Sequence, residues 1–105
     1  MKASNTYQRG VAGEARAANY LRLRGYRILE RNWRVPVGEI DLIVRRGRAL
    51  VFVEVKLRRS RGKGSPLEAV HAGKIRRISA AAACYLTRGL PAGVKECRFD
   101  VLGVG

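Results

Sequence analysis

Apolar positions along this chain follow two different periods, and the changes between them mark out the elements. From Tyr7 to Arg24, Val11, Ala15, Ala18 and Leu21 recur at three- and four-residue spacing. That spacing predicts a helix, with Gly25 as its stop. Tyr26 to Val35 reads as extended, with Tyr26, Ile28 and Trp33 as apolar contributors, and Pro36-Val37-Gly38 reads as a turn. Glu39 to Arg45 and Ala49 to Leu57 are β-rich runs around Arg46-Gly47, the pattern of a hairpin. Ser60 to Gly64 is a basic, glycine-bearing loop.

The next start signal is Ser65-Pro66-Leu67-Glu68: a Ser N-cap, Pro at the first helical position and Glu at the third. Gly73 is a candidate break. Lys74 to Thr87 then continues as helix, with Ile75, Ile78, Ala82 and Tyr85 or Leu86 expected to face inward. Val94 to Val104 alternates Cys97, Phe99 and Val101 against Glu96, Arg98 and Asp100, a strand pattern. The expected order is α-β-β-β-α-β in one α/β domain over residues 1–105, a mixed sheet with flanking helices.

Residues two apart in a strand share a face. Ile40, Leu42 and Val44 against Val51, Val53 and Val55 form an apolar face, expected to meet the core. The opposite face carries Glu39, Asp41 and Ile43 on one strand and Phe52, Glu54 and Lys56 on the next. A two-residue turn at Arg46-Gly47 would set Glu39 opposite Glu54. A four-residue loop from Arg45 to Arg48 would pair Val44 with Val51 and set Asp41 opposite Glu54. Either register leaves Asp41 and Glu54 on one face, with Cβ atoms ~5 Å apart if opposite or ~7–8 Å on the diagonal. Two carboxylates ~5 Å apart repel by ~3 kcal/mol at an effective dielectric near ~20, unless a cation or proton sits between them. A divalent metal would relieve that repulsion and activate water for attack on a phosphodiester, with Lys56 placed to orient the water or offset developing charge. An Asp-Glu-Lys cluster that only neutralises itself fits the same geometry.

Charge narrows the partner. Lys and Arg number 22, Asp and Glu 8, and the formal net charge is +14. That surplus suits a polyanion, because neutralising phosphates releases counterions. An anionic membrane surface, an acidic protein or simple solvation would account for it too. No apolar run approaches the ~20 residues needed to span a bilayer, so no membrane is expected. Met1 to Gln8 carries no hydrophobic segment and Cys84 and Cys97 have no metal-like spacing, so free thiols in the cytoplasm are expected.

The motifs Gly10-Val11-Ala12-Gly13-Glu14, Gly38-Glu39-Ile40-Asp41-Leu42-Ile43, Phe52-Val53-Glu54-Val55-Lys56 and Arg98-Phe99-Asp100-Val101 occur in that order. Together they closely resemble the YraN-like family of small bacterial proteins, from Gly10 to Val104. The resemblance implies the restriction-endonuclease-like fold of the PD-(D/E)xK nucleases. It implies Asp41 and Glu54 as ligands of Mg²⁺ or Mn²⁺, the Val55 carbonyl completing coordination, Lys56 as the catalytic lysine and Glu14 as a first-helix acid of the site. Ile40 stands where the superfamily's name has proline. The implied activity is metal-dependent hydrolysis of nucleic acid, DNA ahead of RNA, with branched or flapped structures as candidate substrates and a homodimer compatible with it. The alternatives are a non-catalytic nucleic-acid-binding protein that keeps the nuclease fold, and a ribosome-associated or other interaction factor.

Arg58, Arg59, Arg61 and Lys63 follow the catalytic strand directly and are expected to touch phosphates. Lys74, with Arg76 and Arg77, could grip phosphates or form a solvated helix face. Glu39 could be a ligand or a strand-edge acid. His71 lacks a partner at ligand spacing and reads as a surface residue. Cys84, Trp33 and Tyr26 read as core.

Overall fold

The computed structural model describes residues 4–57 and 72–104, with side chains described from Gly13 to Lys56 and from Ala72 onward. Its elements are α1 (Ser4–Leu23), β1 (Arg27–Val35), β2 (Gly38–Arg46), β3 (Ala49–Leu57), α2 (Ala72–Leu86) and β4 (Glu96–Val104). The order is the expected α-β-β-β-α-β. The sheet runs β1-β2-β3-β4. β1–β2 and β2–β3 are antiparallel, and β3–β4 is parallel. A parallel pair cannot be joined by a tight turn, so α2 serves as the crossover. No helix among the described residues is long and apolar enough to cross a membrane.

Gly25, at φ +89°, ends α1. The Tyr26 N–H reaches the Leu21 carbonyl and the Gly25 N–H the Arg22 carbonyl, each at 3.0 Å. This pair of bonds satisfies the last helical carbonyls and turns the chain into β1, with glycine in the left-handed position where a Cβ would be costly.

Helices cover both faces of the sheet. Ala17 and Leu21 of α1 pack on Leu42, Val44, Val51 and Val53. Ile78, Ala81 and Tyr85 of α2 pack on Ile40, Ile43, Leu50 and Phe52. Trp33 and Phe52 both meet Tyr85 edge-on. Alternation marked one apolar face of β2 and β3, and the structure buries the other face as well. β2 and β3 are central strands, so the residues between the predicted core positions are buried too. Ile40 also moves: it joins Ile43 on the α2 side, while Leu42 and Val44 lie on the α1 side. Strict alternation would place Ile40 with Leu42, so the pattern breaks at Asp41.

α2 comes very close to the β1–β2 turn. A Cβ added at Gly38 would collide with the backbone carbonyl of Arg77. Only glycine permits this approach, which seats the start of α2 over the end of the hairpin. Gly73 lies within α2 and does not break it. The Ser65-Pro66 start signal lies outside the described residues.

Candidate active site at the parting of β2 and β3

The hairpin takes the register that opposes Asp41 to Glu54, with Val44 paired to Val51 and Arg46 to Ala49. It is reached through a two-residue turn at Gly47-Arg48, not a four-residue loop. Gly47, at φ +60°, supplies the positive φ at the first central position. The ladder ends at Leu42–Val53. Beyond it, Asp41 Oδ2 accepts the Val55 N–H at 2.8 Å. A carboxylate thus takes up a strand N–H at the place where the two strands stop pairing.

Glu54, next to Val55, is 4% exposed. Its Oε2 receives Lys74 Nζ from the first turn of α2 at 2.7 Å. Asp41 feels the charge of neighbouring Glu54 and is pushed from its ordinary 3.8 up to about 7. Burial is the main cause, opposed by the Val55 N–H. The negative charges of Glu54 and Glu14 raise it further. The site therefore holds a carboxyl with a strong thermodynamic preference for a proton, or another cation, over bare charge.

The other sequence-derived candidates are distributed around this pair. Val55 turns its side chain to the α1-side core while its backbone meets Asp41. Lys56 is half-buried on β3, two residues beyond Glu54. Glu14 lies near enough to act on Asp41 through its charge, and its Oε1 accepts the Asn32 amide N–H at 2.8 Å. Glu39 is exposed and pairs with Arg34 at 3.2 Å. Among the described residues, no three His, Cys, Asp or Glu side chains gather as a metal-ligand cluster. Arg58, Arg59, Arg61 and Lys63, and also His71, lie outside the described residues.

Lys74 has a partner that the sequence did not suggest. Its ammonium pairs with the buried Glu54 carboxylate while its side chain stays 30% exposed. The self-neutralising partner considered for Glu54 was Lys56; the structure supplies Lys74 instead. Lys74→Met is expected to lower stability by about 2–3 kcal/mol in EDTA, because it strands a buried carboxylate. The figure sits below that of a fully buried pair because the Lys74 side chain is 30% exposed. Glu54→Gln should cost about 1 kcal/mol or less, since the remaining ammonium can reach water and the repulsion with Asp41 disappears. Urea melts of the two variants check the asymmetry; equal losses would mean that the ion pair is not buried as described.

A family model described as "Uncharacterised protein family UPF0102" matches residues 13–104. A UPF0102 protein of Chlorobium chlorochromatii is 52% identical over 101 residues, covering 96% of this chain and 77% of that protein. One from Symbiobacterium thermophilum is 54% identical over 95 residues, 90% of this chain and 80% of its own. One from Shewanella loihica is 42% identical over 104 residues, 99% and 90%. This chain belongs to the UPF0102, or YraN-like, family. The match takes in Glu14, Asp41, Glu54 and Lys56 together.

The partnership of Lys74 with Glu54, and Asn32 altogether, escaped the sequence reading. Lys74 gave no spacing signal, because nothing local links it to Glu54; the link is made by packing of α2 at Gly38. Asn32 left a weak one. It sits inside a strand at φ +48°, a conformation that asparagine tolerates better than most residues. From there its amide reaches Glu14.

Proposed function

We propose that the chain is a divalent-metal-dependent nuclease, cytoplasmic and acting on DNA ahead of RNA. The observation that carries this reading is the Asp41–Glu54 pair at the parting of β2 and β3. A buried carboxyl beside a half-buried one pushed to about 7 is a standing cost to the fold. Functional sites are where such costs are kept. The donor set fits Mg²⁺ or Mn²⁺: carboxylate oxygens of Asp41 and Glu54 and the Val55 carbonyl are all hard oxygen ligands. When bound, such a metal supplies a Lewis acid for the phosphoryl oxygens and a water of lowered pKa. Asp41 and Glu54 would hold it, with the Val55 N–H fixing the Asp41 carboxylate. Lys56 projects from the same strand two residues on and orients water or balances charge on the phosphate. Glu14, held by Asn32, adds negative charge that favours a cation at Asp41. The charge of +14 draws the polyanionic substrate.

A second reading, a non-catalytic nucleic-acid-binding protein on the nuclease fold, has one observation in its favour. Lys74 already supplies a cation to Glu54. A single experiment separates the two. Labelled linear, flapped, four-way-junction and single-stranded substrates are incubated with Mg²⁺ or Mn²⁺, and binding to each is measured in EDTA over a range of salt. Neutralising ~5 phosphates gives a slope of log K against log salt of about −4.5. The nuclease reading expects that slope together with metal-dependent cutting of at least one substrate. Steep binding without cutting favours the second reading. A slope near zero removes nucleic acid as the partner.

A further inference from the structure

The α1 face holds a second feature, separate from the carboxylate pair. A groove of about 520 Å³ lies between α1 and β4, in the size range of ligand sites. Val44, Val51 and Val53 form its apolar floor, and Tyr20, Arg24, Tyr26 and Arg46 form one wall. That wall is a ladder of rings and guanidinium groups. Arg24 lies 3.7 Å from the Tyr20 ring centroid, and Arg46 4.6 Å from that of Tyr26. Arg46 also donates to the Arg24 carbonyl at 2.9 Å, and Arg98 to the Tyr26 hydroxyl at 3.0 Å. Asp100, on the β4 side, is the acid in the lining, and it already faces Arg98 at 3.5 Å.

We infer that this groove binds the exposed bases and phosphates of a single-stranded nucleic acid segment next to the cleavage site. The inference deepens the proposed function and rests on nucleic acid being the partner. An apolar floor beside planar aromatic and guanidinium surfaces suits the faces of unpaired bases, which every base offers regardless of sequence. In the lining Arg24 and Arg46 stand against Asp100, whose charge Arg98 already offsets, so the rim complements phosphate and not a cationic partner. Tyr20, 42% exposed, remains accessible to a further ring. The β4 wall of the groove runs alongside the part of β3 that carries Glu54, although the Glu54 side chain itself turns to Lys74 of α2. Leu102 in its wall pairs with Val55, and Asp100 pairs with Val53, one residue from Glu54. Bases stacked in a duplex cannot use such a surface. A flap or frayed end could be held along α1 while its junction with duplex meets Asp41 and Glu54.

The test measures binding of a labelled single-stranded oligonucleotide of about 12 nucleotides, and of a duplex of equal length, to the whole chain in EDTA. Tyr20→Ala is expected to weaken the single strand by about tenfold, the scale of one lost base–aromatic stack, and to leave the duplex unchanged. Tyr20→Phe should retain the affinity, because the ring and not the hydroxyl carries it. Illumination of a 5-iodouracil-labelled strand should crosslink it to Tyr20 or Tyr26. Unchanged single-strand affinity in Tyr20→Ala, or crosslinks mapping to other segments, overturns the inference. Thymidine monophosphate competing as well as the oligonucleotide also overturns it, in favour of a mononucleotide site. Because binding is read without metal, failure to cleave any substrate would sink the nuclease reading and leave these outcomes intact.

Discussion

Asp41→Asn and Glu54→Gln are each expected to reduce metal-dependent cleavage by about 10²-fold or more, with DNA affinity held within about twofold. The two effects separate because they draw on different charges. Cleavage depends on the few oxygens that can hold a cation against the scissile phosphate, so neutralising one of them removes stabilisation that is strongest in the transition state. Affinity depends on 22 Lys and Arg residues. Losing one acid barely alters that total. Lys56→Met is the companion: activity should fall while binding scarcely changes. A fold control is built in, since Glu54→Gln should melt within about 1 kcal/mol of wild type while Lys74→Met does not. Single-turnover cleavage assays beside salt-resolved binding curves give the readout. Full activity in either carboxylate variant would remove that residue from the site.

The fold was largely legible because the hydrophobic pattern decides it. The hairpin showed itself through β-rich runs on either side of Gly47, and both helices through three- and four-residue spacing. The errors share one physical origin: local pattern does not report what packs on each face. Ile40 was assigned by alternation to the side of Leu42, but the strand departs from alternation at Asp41, whose carboxylate turns to the Val55 N–H. Spacing places Ile75 inward, yet it is 42% exposed, because α2 packs over β2 and β1 and leaves this position beyond the covered strands. The alternation of Cys97 and Phe99 marked β4 as a strand, and as an edge strand it leaves both exposed.

The candidate site was legible to a different depth. Asp41 and Glu54 could be brought together from the period of a strand and the register of one hairpin, since both are local quantities. Their neighbours could not. Lys74 reaches Glu54 only because α2 lies against Gly38, a contact between segments far apart in the chain. Tyr26 was read as a core residue, and it does pack beside the α1-side core. Its hydroxyl and ring nevertheless serve the groove wall through Arg98 and Arg46. Which side of a ring is buried is a tertiary fact that composition cannot carry.

Stability in EDTA is expected to fall as pH rises from about 4 to about 7, and Mg²⁺ should restore it above that window. Asp41 holds its proton up to about 7 in the folded chain and releases it near 3.8 when unfolded. Between those values the folded state binds more protons than the unfolded state, so the slope of stability against pH is negative. Below the window both states are protonated, and above it neither is, so the profile flattens at each end. The shift corresponds to at most about 4 kcal/mol at 1.36 kcal/mol per unit, and partial exposure of Asp41 reduces this to about 2–3. The loss arises because burial and the charges of Glu54 and Glu14 disfavour a bare carboxylate at position 41. A divalent cation held by Asp41 and Glu54 reverses the same penalty, and it binds the folded state alone. At 100 times its dissociation constant it adds ~2.7 kcal/mol. The gain should be large at pH 8 and small at pH 5, where the proton competes for the same oxygens. Urea melts at each pH, with EDTA or Mg²⁺, measure both effects. Asp41→Asn should flatten the pH profile and abolish the Mg²⁺ gain together. A falling profile with no response to Mg²⁺ or Mn²⁺ at any pH would keep the carboxylate pair and sink the metal site. A flat profile in the unaltered chain would mean that Asp41 is not buried against Glu54 at all.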